Sequence, residues 1–191
     1  KGNLNYLAEG ESYQMNLRHY PDNILAQFNL VGNPFPFNIN WETDIEVNCV
    51  YDGFATLNFK EGSYIYRENG TINAGEGFMI RTKESGSNYI KFTKGLSKSS
   101  RNENNSINII ASNSNGSDNV IIRFDDNEIS GFPKLVNFND KIANVYVKDE
   151  NVNYGILNFN NDINEIPLYF DAKEMSNYTL TFDIKGIYEN L

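Results

Sequence analysis

Two stretches carry side chains of the kind that hold ligands. Asp125-Asp126-Asn127-Glu128 puts four oxygen-bearing side chains in a row. Hard oxygens are what Ca2+ takes, so this loop is the candidate ion site. It is not an EF-hand, because the loop glycine and the carboxylate at the twelfth position are missing. Asp149-Glu150-Asn151 and Asn160-Asn161-Asp162 repeat the composition more weakly. The plainer expectation for all three is a solvated acidic turn. The second set is aromatic: Trp41, Tyr51, Tyr64 and Tyr66. Sugar rings dock on exposed aromatic faces while Asn, Asp and Arg bind their hydroxyls. Tyr64 and Tyr66, two apart on one strand, share a face, and Trp41 with Tyr51 is the other candidate platform. Against this, strand tyrosines are commonly half-buried packing, and Trp41 reads first as a core plug.

Catalytic chemistry has weaker footing. Glycosidases need two facing carboxylates, one with a raised pKa. Glu42 and Asp44, beside Trp41, are the nearest approach among 25 Asp and Glu. The single histidine, His19, lies in a turn-like stretch with no nucleophile elbow elsewhere, and is expected at the surface. The single cysteine, Cys49, lacks a His partner and is expected as a small buried apolar residue. Gly75-Glu76-Gly77 has neither a third glycine nor a helix after it, so it is no nucleotide loop. No catalytic residue is assigned and no organic cofactor is expected.

The chain that must position these groups has 191 residues, a net charge of −9 and a pI near 4.6. A phosphate backbone or an anionic membrane surface would repel it. No apolar run reaches the roughly 20 residues of a membrane helix. One cysteine excludes an intrachain disulfide, and one histidine excludes a His-rich metal site. Asn makes up roughly a sixth of the chain, which favours turns and polar loops. It also makes the sequons at Asn69, Asn104, Asn115 and Asn177 expected by chance. The sequence begins at Lys1 without a leader, and is expected to be a processed product or a fragment.

Helical periodicity is nearly absent, and β-branched and aromatic residues fill the apolar runs. Ser63–Arg67, Tyr89–Thr93, Ile107–Ala111, Val120–Phe124, Val145–Val147, Gly155–Phe159 and Tyr178–Phe182 read as short strands. Turn signals such as Glu68-Asn69-Gly70 and Asn115-Gly116-Ser117 separate them. About a dozen strands so punctuated predict an all-β, β-sandwich or jelly-roll-like fold, with room for two β subdomains. Short helical turns are expected at 41–45 and 171–176. Residues 97–105 hold no apolar side chain and predict an exposed polar linker or long loop, set at 97–106, between an N-terminal half (1–96) and a C-terminal half (107–191).

Phe28-Asn29-Leu30-Val31-Gly32-Asn33-Pro34-Phe35-Pro36 is a strand that stops hard. Gly32 and Asn33 allow a tight turn, while Pro34 and Pro36 force extended backbone and remove two donors. Followed by Trp41, this segment resembles a β-rich module of large surface and secreted proteins of Bacteroidota, many exported by the type IX secretion system. Ile72–Ile80, Asp118–Phe124 followed by Ile129-Ser130-Gly131-Phe132, Val145-Tyr146, Ile166-Pro167-Leu168 and Asn177-Tyr178-Thr179-Leu180 are similar to later motifs of that family, in its order. The likeness spans roughly residues 8–187. Lys134–Asp140 lacks the acidic pair many members carry, and the family's further β segment after the Tyr-Thr-Leu strand is missing.

The resemblance implies an extracellular or outer-membrane-associated location and a non-catalytic module for adhesion or structural presentation. It implies no ligand or catalytic residue. The alternatives are a carbohydrate-binding module of a secreted polysaccharide-degrading enzyme and a fragment of a secreted hydrolase. If the C-terminal half is truncated, the sheet edge near Tyr178, Leu180 and Phe182 is expected to pair with a protein partner. A glycan is the other expected partner.

Overall fold

The structure, a computed structural model, describes residues 11–93, 105–124, 131–160, 163 and 165–186. The described residues are almost all β, and the sandwich-like all-β class expected from the sequence holds. In chain order the strands are β1 (Ser12–Asn16), β2 (Phe28–Gly32), β3 (Ile39–Asn40), β4 (Ile45–Asn48), β5 (Phe54–Asn58), β6 (Ser63–Arg67), β7 (Thr71–Ile72) and β8 (Gly77–Arg81). There follow β9 (Tyr89–Thr93), β10 (Asn105–Asn113), β11 (Gly116–Phe124), β12 (Gly131–Pro133), β13 (Asn144–Asp149), β14 (Val152–Phe159), β15 (Tyr169–Asp171) and β16 (Thr179–Lys185). A 3-10 turn spans Ile24–Gln27. The short turn expected at 41–45 is present at residues 41–43, closed by the Asp44 N–H donating to Asn40 O at 2.9 Å, whereas 171–176 is a strand end and bend with no helical turn.

The chain clusters into two compact units. The first comprises Lys1–Phe54 and Glu68–Arg101, the second Ala55–Arg67 and Asn102–Leu191. The division is therefore not a cut into contiguous halves, because the Ala55–Arg67 segment belongs with the C-terminal residues. Nor is 97–106 a linker throughout. Asn105 and Ser106 open strand β10, with Ser106 buried; 97–104 lie outside the described residues.

In the first unit, β1 and β4 flank β9 in an antiparallel sheet, β2 pairs with β8, and β3 pairs with β7. Alternation places Ile90 and Phe92 of β9 inward, where they meet Ile45, Ile80, Phe78, Phe54 and Trp41 in one apolar cluster. The Gly-Asn-Pro-Phe-Pro corner closes this cluster. Asn33 is buried, and its amide nitrogen lies 2.9 Å from the carbonyls of Phe37 and Asn73 and 3.3 Å from that of Ile72. Its Oδ1 accepts the Phe35 N–H at 3.0 Å, and its own N–H donates to Glu76 O at 2.9 Å. Pro34 and Pro36 supply no donors here, so one side chain meets the need of several backbone groups. Gly32 and the prolines thus end β2, and Asn33 fastens the turn.

In the second unit the sheet order is β15-β13-β14-β11-β10-β16, with β12 pairing onto β14. All pairings are antiparallel except β11 with β14. One face carries Ile109, Ala111, Val120, Ile122, Val145, Val147, Leu157 and Phe159. The β5–β6 hairpin lies on the other face. There Tyr66 packs edge-on to Phe132, ring centres 5.8 Å apart, and lies against Gly155, where a Cβ would collide with its ring. A register shift between Phe132 and Pro133 accompanies this close approach. The hairpin turn is gripped at Gly62, whose carbonyl accepts N–H groups of Phe138 and Asn139. Gly62 needs its positive φ of 74°, a conformation glycine adopts without a side-chain clash.

Candidate functional site

Of the aromatic candidates, Trp41 is 3% exposed, with Phe54 at 4.9 Å and Phe78 at 6.2 Å between ring centres. It is a core residue and offers no sugar platform. Tyr51 is half-buried, with the Arg81 guanidinium 4.4 Å and the Lys83 ammonium 5.5 Å from its ring centre. Two cations already occupy the ring electrostatically. Tyr66 is buried as well. Tyr64 remains. It is partly exposed and packs on Phe138 at 5.7 Å, the rings tilted by 38°. Phe138 is 72% exposed. Phe59, 89% exposed, sits in the hairpin turn that Phe138 bonds through its backbone. The second unit thus presents an exposed aromatic patch of which the sequence reading found Tyr64 alone. Phe138 lies in a segment without strand periodicity and gave no signal.

Asp125, Asp126, Asn127 and Glu128, the candidate Ca2+ loop, lie outside the described residues. Among the described residues no three His, Cys, Asp or Glu side chains converge to hold a metal. Glu42 is exposed, and Asp44 accepts the Asn40 N–H at 2.8 Å, a turn-forming role. His19 shares a hydrogen bond with the Thr82 hydroxyl at 2.9 Å and is half-buried. Cys49 is not the buried apolar residue expected. It has a positive φ of 54°, is half-buried, and its thiol faces the Glu84 carboxylate at 3.8 Å. Strand β16 pairs with β10 and stands at the end of the described sheet, with Leu180 and Phe182 exposed.

The groups with the greatest chemical potential escaped the sequence reading. Lys134 Nζ lies 2.7 Å from both oxygens of Asp118, and their side chains are 3% and 0% exposed. Asp118 is on β11, paired with Ala111 of β10; Lys134 immediately follows β12. Nζ also donates to the Asn119 carbonyl at 2.9 Å and lies 4.5 Å from the Tyr66 ring centre. Asp118 Oδ2 accepts the Val145 N–H at 2.7 Å. Asn137 Nδ2 is buried without a well-formed hydrogen bond, yet its dipole also favours the charged carboxylate. Burial pushes the Asp118 carboxyl up and the Lys134 ammonium down, and their mutual attraction offsets this only in part.

Two more groups seal the pair. The Tyr66 hydroxyl accepts the Leu135 N–H and donates to the Leu135 carbonyl. Burial above all raises its pKa well beyond the ordinary tyrosine value. The Asn119 side chain mimics a strand neighbour, accepting the Tyr66 N–H at 2.9 Å and donating to the Tyr66 carbonyl at 3.0 Å. A lysine and an aspartate sixteen positions apart carry no spacing signal, because the β-topology alone brings them together.

Compared with known proteins, the chain matches no family model, no curated protein and no solved structure.

Proposed function

We propose that this chain is a non-catalytic β-sandwich module of an exported bacterial surface protein, serving adhesion or structural presentation. One observation carries the reading: the side chains with most capacity for chemistry are used to hold the fold. Trp41 and Tyr66 are core residues, and Lys134 and Asp118 are closed off beneath Tyr66. Large apolar side chains also face outward, Leu180 and Phe182 on β16 and Phe59 and Phe138 in the second unit. Such surfaces meet other chains. The proposed location rests on the resemblance of the Phe28–Pro36 segment and the motifs after it to the Bacteroidota module. Antibody raised against the chain is expected to label intact cells that produce it. Labelling that needs permeabilised cells would refute surface exposure.

A second reading, carbohydrate binding, is favoured by the Tyr64–Phe138 pair. A glycan-array screen with and without Ca2+ separates the two. A blank in both conditions supports the presentation module. Specific binding that drops in Tyr64→Ala and Phe138→Ala moves the protein to the carbohydrate-binding class, and loss with chelator assigns an ion to it.

A further inference from the structure

Lys134 and Asp118 are arranged as the two halves of an amide. Nζ sits equidistant from the two carboxyl oxygens, at 2.7 Å, and so faces Cγ from between them. We propose that the two side chains condense, joining Lys134 Nζ to Asp118 Cγ in an intramolecular amide bond with release of one water.

The surroundings fit the product as well as they fit the ion pair. A secondary amide has one N–H and one carbonyl oxygen. The Asn119 carbonyl, 2.9 Å from Nζ, takes the N–H. The Val145 N–H, 2.7 Å from Oδ2, donates to the carbonyl oxygen. Both bonds already exist, and forming the amide leaves neither group without a partner. The charges vanish, and with them the desolvation penalty of two buried ions. Burial drives both groups toward their neutral forms, which are the reacting forms.

The step balances without any co-reactant. The ammonium gives a proton to Oδ1, leaving a neutral amine beside a neutral carboxylic acid. A pivot of the carboxyl about Oδ2, which stays on the Val145 N–H, turns its face toward the nitrogen, whose lone pair attacks Cγ. The developing negative charge falls on Oδ2, where the Val145 N–H holds it and the Asn137 amide is the second donor available. A proton passes from the nitrogen to Oδ1, the Cγ–Oδ1 bond breaks, and Oδ1 leaves as water. Oδ2 remains as the amide oxygen. Two groups fixed side by side by the fold react at a high effective concentration, and exclusion of solvent opposes the reverse hydrolysis.

The test is the intact mass of the full chain, folded, incubated to a constant value and then denatured. The expected result is a mass one water below that of the sequence. Protease digestion should then yield a branched peptide with Lys134 joined to Asp118. Lys134→Met and Asp118→Ala should each run at their full sequence masses. A wild-type chain that keeps its full mass overturns the proposal. So does a water loss that persists in Lys134→Met, because that is cyclisation at Asp118-Asn119. The wild-type mass and digest decide the matter even if neither variant folds.

Discussion

Replacing Asn33 by Ala removes the side-chain hydrogen bonds that Asn33 makes at the corner where β2 ends. Three contacts at 2.9–3.0 Å lose a partner: the Phe37 and Asn73 carbonyls and the Phe35 N–H. The longer contact to the Ile72 carbonyl goes too. At about 1 kcal/mol for each firm bond, with some addition for burial of the groups left behind, the cost is about 3–4 kcal/mol. Asn33→Asp sharpens the argument. Its carboxylate still accepts from Phe35 but faces carbonyl oxygens where the amide donated, so at neutral pH it should be the worse variant. Burial raises such a carboxyl's pKa, and its protonated form can donate. Its deficit should therefore shrink as pH falls through the folded pKa. The assay is built in: Trp41 is the chain's single tryptophan and lies in the same buried cluster. Urea unfolding followed by its fluorescence should show a midpoint lowered by about 2 M for Asn33→Ala, taking a slope of roughly 1.5 kcal/mol/M. A shift below about 0.5 M, or an Asp variant as stable as the Ala variant at neutral pH, would refute the donor role.

Tyr66→Phe strands the partly buried Leu135 N–H and should cost about 1–2 kcal/mol by circular dichroism. Tyr66 has a raised folded pKa, so its contribution is complete below about pH 10 and is lost as pH rises above it, where the unfolded phenol ionises. Urea midpoints at about pH 9 and about pH 11 should therefore differ less in Tyr66→Phe than in the wild type. Gly155→Ala drives a methyl group into the Tyr66 ring and should cost at least about 1–3 kcal/mol in thermal melts. Adding Tyr66→Leu should recover part of that loss, and strict additivity would show that the ring is not the obstacle. Trp41→Ala should lower stability by about 3–5 kcal/mol, as loss of a large core side chain does.

Where local pattern decides structure, the sequence is readable. Ser63–Arg67 and Tyr89–Thr93 are strands with the expected ends, because alternation and turn signals bound them on both sides. The Gly-Asn-Pro-Phe-Pro corner and the buried Trp41 follow from proline chemistry and size. What distant pairing decides is not readable. Tyr64 and Tyr66 do meet the same segment, at Phe138 and Phe132, but burial separates them into surface and core. That depends on the sheet beneath the hairpin, which no local window contains. The Lys134–Asp118 pair needs β11 and the residue after β12 in register, and the Asn119–Tyr66 pairing spans 53 positions. Cys49 departs from the burial its type predicts because a left-handed backbone conformation, not hydrophobicity, fixes its place.

The allegiance of Ala55–Arg67 to the second unit sets an order on biosynthesis. Tyr66 emerges from the ribosome about 66 residues before Phe132, its ring partner; at roughly 5–20 residues per second that is an interval of roughly 3 to 13 s. All of the first unit's residues precede Asn102, so the hairpin's own partners in the second unit are the last to arrive. A nascent chain stalled between Arg101 and Phe132 would thus carry Tyr66 without its ring partner, a species suited to chaperone capture and prone to mispairing with its neighbours on a polysome.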